Sequence, residues 1–247
     1  MLLSSYILPA IVWLGAGSIN AQALPPAFFL AGDSTTAPDG GWGDAFVASL
    51  TNGATGANFG ASGRTTSSFR SDGYWDKVLT AVAQSAASSQ HRPYVTIQFG
   101  HNDQKTEAGL AVFVRNLVTM DSEVRAAGGQ TIFLTSLSRR KYSGGRVVDD
   151  LENVRDLTIQ AAQQSGGAMW ADLNVRSRGY LDSIGEENAM TYNLAPDDRT
   201  HLNEAGGIVF AGMVGVLLEE LVGGLGDYIR IDDGLVRALE SGSYYYP

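Results

Sequence analysis

The stretch Tyr94-Val95-Thr96-Ile97-Gln98-Phe99-Gly100-His101-Asn102-Asp103 (YVTIQFGHND) decides the fold. Its apolar part, 94–99, lacks strict polar alternation, as a strand buried on both faces should. Downstream, Val114, Leu117, Val118 and Val124 recur at helical spacing within 110–127, and Gly128-Gly129 ends that helix. A second apolar run, 131–135, follows. Strand, helix and strand in this rhythm form one unit of a parallel sheet.

The same rhythm extends in both directions. Further strand candidates are 27–31, 56–59 and 168–171. Helix candidates are 43–50, 74–87, 147–165 and 204–221; in 147–165 the apolar stripe is Leu151, Val154, Leu157 and Ile159. The expected architecture is a three-layer α/β/α sandwich around a central, mainly parallel five-stranded sheet. No repeat, linker or composition break divides the chain, so a single domain is expected over 24–247.

Composition bounds the function. With 247 residues, 44% hydrophobic and 17% charged, the chain is long enough for one large core and is not of disordered type. A formal charge of −9 argues against nucleic acid or an anionic membrane as main partner. The absence of cysteine excludes disulfides, thiolate metal sites and a cysteine nucleophile. No charged side chain precedes Asp33, and the apolar run 6–15 has the length of a secretory leader rather than a membrane span. Ala21-Gln22-Ala23 then supplies a cleavage pattern, predicting a secreted protein that starts at Leu24. No Asn-x-Ser/Thr sequon occurs.

In open α/β sheets, ligands bind beyond the carboxyl ends of the strands. The residues there are Gly32-Asp33-Ser34, then Gly60-Ala61-Ser62-Gly63-Arg64, then Gly100-His101-Asn102-Asp103. A late loop adds Asp198-Arg199-Thr200-His201. Ser34 is either a helix N-cap or a nucleophile, and as a nucleophile it needs a base. Of the three histidines, His91 adjoins Arg92-Pro93 and suits a surface role, while His101 is a weaker competitor. His201 is either that base or a cap for the helix beginning near Glu204. Asp198, three residues earlier, can accept from the imidazole Nδ1–H and leave Nε2 free for the serine proton. It also suits a turn, and Asp197 is the alternative partner. The N–H groups of Ser34 and Gly63 with the Asn102 amide would supply three oxyanion donors, although Gly63 and Asn102 each have a turn reading too.

The blocks AGDSTT (31–36), NFGASGRT (58–65), QFGHND (98–103) and DDRTHL (197–202) resemble those of the SGNH (GDSL-like) hydrolases. The resemblance spans almost the whole chain after the leader. It implies Ser34, Asp198 and His201 as triad, Ser34, Gly63 and Asn102 as oxyanion hole, a flavodoxin-like fold, and neither cofactor nor metal. Ser-Thr after Gly-Asp, together with GGWGDAF (40–46) and ASGRTTSSF (61–69), is similar to the rhamnogalacturonan acetylesterase branch. That implies a secreted enzyme removing acetyl groups from pectin, its partner being an acetylated polysaccharide and its expected state monomeric. A lipase or phospholipase, an acetylxylan-type esterase, and a non-catalytic sugar-binding protein are the alternatives.

Other layouts fail. No Gly-x-Ser-x-Gly elbow occurs, since Gly60-Ala61-Ser62-Gly63-Arg64 breaks the pattern at its last position. The glycine-rich 56–63 stretch lacks the Lys-Ser/Thr of a phosphate loop. Trp42 and Trp75 are either sugar-stacking rings or core. Arg139-Arg140-Lys141 is the densest basic run, either a carboxylate site or a solvated loop; Arg139, Arg140 and Arg64 are the candidate substrate cations. Tyr244-Tyr245-Tyr246 takes no role in this reading.

Overall fold

The computed structural model describes residues 24–247; the expected leader at 1–23 lies outside them. Five strands form one parallel sheet: β1 (Pro26–Gly32), β2 (Thr55–Asn58), β3 (Arg92–Gln98), β4 (Gln130–Leu134) and, after a small hairpin, β7 (Met169–Ala171). The hairpin is β5 (Tyr142–Ser143) paired antiparallel with β6 (Arg146–Val147). The sheet order is β2-β1-β3-β4-β7. Strand order therefore reverses between β1 and β3, the crevice where such sheets hold ligands. The register sets Gly32 beside Gln98, so the loops leaving β1 and β3 start level with each other.

Strand periodicity divides the core into two layers. Phe28 and Leu30 of β1, Tyr94 of β3, and Ile132 and Leu134 of β4 face one side. There they meet α1 (Gly43–Ser49), α6 (Leu173–Met190), α7 (Glu204–Leu221) and α8 (Asp233–Ser241). Ala27, Phe29, Ala31, Val95, Ile97 and Phe133 face the other side. They pack on α2 (Thr66–Ser71), α3 (Tyr74–Ser88), α4 (Glu107–Ala126) and α5 (Glu152–Gln164). Each fully buried phenylalanine or leucine contributes about 1.5–3 kcal/mol, which makes this double layer the chief source of cohesion.

Three differences from the sequence reading have local causes. The helix expected from residue 147 starts at Glu152, because the 142–147 segment is spent on the hairpin. α2 is only six residues long, too short for a periodic signal; a capping box between Thr65 and Ser68 holds it. α6 carries Gly185 in a non-helical, positive-φ conformation, which interrupts its periodicity.

Candidate active site

Ser34 leaves β1 on a tight turn. The N–H groups of Thr36 and Ala37 both donate to the Asp33 carbonyl, at 3.1 and 3.0 Å. Only glycine fits immediately before it: a Cβ at Gly32 would stand 2.2 Å from Thr36 Oγ1 and 2.8 Å from the Gln98 carbonyl. No helix follows directly, since α1 begins at Gly43 with Trp42 at its N-cap position, so Ser34 is not a helix cap.

A chain of side-chain hydrogen bonds fixes this turn from behind. Trp42 Nε1 donates to Gln98 Oε1 at 2.6 Å, and Gln98 Nε2 donates to Thr35 Oγ1 at 2.6 Å. Thr35 Oγ1 and the Thr35 N–H donate in turn to Asp33 Oδ1, at 2.8 and 3.0 Å. All four residues are buried. Burial pushes the Asp33 carboxyl upward, but the charge and hydrogen bonding of His101 and the bonds from Thr35 outweigh it, holding the group below its usual range. His101 Nδ1 lies 3.5 Å from Asp33 Oδ2.

His201 approaches Ser34 from the loop before α7. Its Nε2 lies 2.9 Å from Ser34 Oγ, and its Nδ1 lies 2.8 Å from Asp198 Oδ2. Asp198 divides its two oxygens between two tasks. Oδ1 accepts from the N–H groups of Thr200 and His201, at 2.9 and 2.8 Å, and so shapes the turn, while Oδ2 orients the imidazole. Asp198 therefore has the contacts that both the turn reading and the triad reading require, on different atoms. Partial burial raises its carboxyl, and these main-chain and imidazole contacts more than reverse that, leaving it below the ordinary value. Asp197 is exposed and is not the partner.

Gly63 and Asn102 border the same pocket as Ser34. Gly63 follows β2 with φ +76°, a conformation that favours glycine, and no atom lies within 4 Å of the place a Cβ would occupy. The Asn102 amide is fixed on both sides: Nδ2 donates to the Arg64 carbonyl at 3.0 Å, and Oδ1 accepts from Lys105 Nζ at 2.7 Å. That leaves one amide hydrogen of Nδ2 unspent. Beneath it, Asp103 Oδ1 accepts from the Thr66 N–H and Oγ1, at 2.9 and 2.7 Å. Burial pushes the Asp103 carboxyl up to about 6 despite the Thr66 bonds, and the nearby Asp33 charge adds to the rise.

The pocket has a volume of about 530 Å³, and Asp39, Lys105, Arg139, Thr200 and Leu194 are among its lining residues. Sequence reasoning missed Lys105; its position one helical turn beyond Asn102 is the signal that would have found it.

Three candidate substrate residues are corrected by burial. Trp42 (0% exposed) and Trp75 (2%) offer no ring to a sugar: Trp42 holds the Ser34 turn, and Trp75 Nε1 donates to Glu123 at 2.7 Å. Arg140 (0%) lies under the His201 loop, where Nε donates to Asn193 Oδ1 at 2.6 Å and Nη2 to the His201 carbonyl at 2.5 Å. Its burial lowers the guanidinium to about 10, while the nearby Asp198 charge works the other way. Arg64 is engaged by Asp72 at 2.9 Å and lies over the Tyr74 ring, away from the rim. Of the five candidates Arg139 alone lines the pocket, although it also pairs with Asp150 at 2.9 Å.

Residues 30–207 match the model of the GDSL-like Lipase/Acylhydrolase family. The rhamnogalacturonan acetylesterase RhgT of Bacillus subtilis is 28% identical over 232 residues, covering 85% of this chain and 97% of its own. Among solved structures, a Bacillus subtilis protein, YxiM, superposes with a TM-score of 0.68 at 22% identity, over 80% of this chain and 57% of that one. The acetylxylan esterase Axe2 of Geobacillus stearothermophilus superposes with a TM-score of 0.56 at 16% identity, over 81% of this chain and 95% of its own. These two likenesses concern the fold.

Proposed function

The chain belongs to the GDSL-like lipase/acylhydrolase family and is a carbohydrate acetylesterase; we propose that it acts outside the cell on acetylated rhamnogalacturonan, with Ser34 as nucleophile. The observation that carries the mechanism is the relay from Ser34 Oγ to His201 Nε2 at 2.9 Å and from Nδ1 to Asp198 at 2.8 Å.

In this mechanism Ser34 Oγ attacks the acetyl carbonyl carbon while His201 Nε2 takes the hydroxyl proton. Asp198 holds the ring in the tautomer that makes this possible and stabilises the imidazolium that forms. The new oxyanion is held by the N–H groups of Ser34 and Gly63 and by the unspent hydrogen of Asn102 Nδ2. The C–O bond to the sugar then breaks, and the sugar oxygen leaves with the proton from His201. Water attacks the acetyl-serine by the same sequence, giving acetate and free Ser34.

The substrate assignment is supported by charge as well as by kinship with RhgT. In a chain of formal charge −9, Lys105 and Arg139 outnumber Asp39 in the Ser34 pocket, where a galacturonate carboxylate beside the acetylated sugar would pair with them. The leader-like 6–15 run and the Ala21-Gln22-Ala23 pattern support secretion.

The test is acetate release from acetylated rhamnogalacturonan, acetylated xylan and a triglyceride emulsion, with wild type and Ser34→Ala compared. Ser34-dependent release from the first substrate in preference to the others is expected. Release that survives in the alanine variant overturns the mechanism, and release from the emulsion alone overturns the substrate.

A further inference from the structure

The Ser34 pocket does not end at Leu194. A second cavity of about 740 Å³ shares Asp39 and Leu194 with it. A third, of about 420 Å³, shares Asn203, Glu204 and Ile208 with the second and ends at Tyr246. Each is of the size that holds a small ligand, about 300–1,000 Å³. Laid end to end they exceed what one acetylated sugar needs and form a groove suited to a polymer.

The lining is unusual for this surface. The most exposed large apolar or aromatic side chains among the described residues are Tyr246 (55%) and Leu194 (51%), and both line the groove; Ile208 (37%) lies between them. The aromatic end is also held in place. Tyr245 has its main-chain carbonyl bonded by Tyr192 Oη, and its own hydroxyl bonds Asp232. Tyr244 Oη lies 3.0 Å from Thr191 Oγ1, and the Tyr244 and Tyr246 rings stand 6.4 Å apart. The two residues that lead into the exposed ring are thus both fastened.

Charge changes sign along the groove. Lys105 and Arg139 outnumber the shared Asp39 at the Ser34 end, whereas Asp44 and Glu204 join Asp39 against a single Arg230 in the second cavity. An anionic sugar is repelled there. A neutral pyranose, with an apolar ring face for Tyr246 and hydroxyls for the carboxylates, is not.

We propose that the groove beyond Leu194, ending at Tyr246, is a second binding subsite that holds uncharged sugar residues of the strand whose acetyl group reaches Ser34. The inference rests on the esterase reading. It adds that the enzyme favours longer strands, with a neutral sugar of the strand seated at Tyr246, on that side of the acetylated residue.

The experiment has two arms. In the first, kcat/KM is measured on 4-nitrophenyl acetate and on an acetylated neutral oligosaccharide long enough to span the groove. The ratio of the second to the first falls about five- to tenfold in Tyr246→Ala, as expected for one lost stacking contact, and recovers in Tyr246→Trp. A ratio that does not change overturns the subsite. In the second, Ser34→Ala and its Tyr246→Ala double variant are titrated calorimetrically with neutral and with galacturonate oligosaccharides of equal length. Weaker binding of the neutral oligosaccharide by the double variant supports the subsite, and binding of the galacturonate one that weakens just as much on loss of Tyr246 overturns its neutral character. Loss of Ser34-dependent hydrolysis on every ester would defeat the esterase reading instead, and calorimetric binding sensitive to Tyr246 would still support the subsite.

Discussion

Arg140, fully buried, donates from its guanidinium to the main-chain carbonyl of His201 at 2.5 Å. Its main-chain N–H also donates to the Arg199 carbonyl at 2.8 Å. The loop carrying His201 is therefore fastened to the loop after β4 by a side chain that is itself out of reach of solvent. Arg140→Lys cannot reproduce the fork that reaches both His201 and Asn193. It is expected to cut kcat on a small ester by about 10²-fold, the scale of an ångström of misplacement. Unpaired buried acceptors also lower the melting temperature by about 5 °C or more. Wild-type kcat in the lysine variant overturns the positioning role.

Asp198→Asn separates the two tasks of that carboxylate. The amide oxygen can still accept from the Thr200 and His201 N–H groups, so the turn survives. The amide nitrogen then faces Nδ1 and favours the wrong imidazole tautomer. A fall in kcat of about 10³–10⁴-fold with little change in thermal stability is expected. A variant that melts far below wild type shows that the turn, rather than the tautomer, is the main loss.

Trp42→Phe tests the reassignment of the tryptophan. Removing Nε1–H leaves Gln98 Oε1 without its donor, at a cost of about 1–3 kcal/mol. Because the chain Trp42–Gln98–Thr35–Asp33 ends beside Ser34, kcat is expected to fall equally on 4-nitrophenyl acetate and on polysaccharide. A defect confined to KM on polysaccharide restores the sugar-stacking role.

Asp103 gives a pH signature. Its folded value of about 6 lies above the ordinary 3.8, so between these pH values the native state binds more protons than the unfolded one. Stability therefore falls as pH rises through that window, by at most about 3 kcal/mol, and the penalty is constant above it. Asp103→Asn removes the titrating group while keeping an acceptor for Thr66. Its melting temperature relative to wild type is expected to rise by about 5 °C or more between pH 4 and pH 7. A pH-independent difference contradicts the assignment.

Much of this was legible beforehand, for identifiable reasons. β1, β3 and β4, buried along nearly their whole length, read as continuous apolar runs; the edge strands β2 and β7 are only partly buried, yet all five lie within a residue or two of the expected ranges. Ser34, Asp198 and His201 stood out because strand ends and one late loop supplied complementary residue types. What the sequence hid was orientation. Nothing in Trp42 or Arg140 distinguishes a ring or a guanidinium aimed at solvent from one turned inward to Gln98 or His201; only the tertiary fold settles it. The Leu194–Tyr246 groove was hidden for the same reason, since its walls are contributed by α1, α7 and the 244–246 segment, which are far apart in sequence.

The all-parallel sheet has a practical consequence. Every strand delivers its carboxyl end to the reacting edge, so the turns entering β2 and β7, with exposed Asn52-Gly53 and Gly166-Gly167, lie on the opposite edge. A tether attached at Gly166-Gly167 would anchor the molecule to a solid support with its catalytic mouth facing the liquid. The same molecule held through the 244–246 segment would have the Tyr246 end of the groove covered instead.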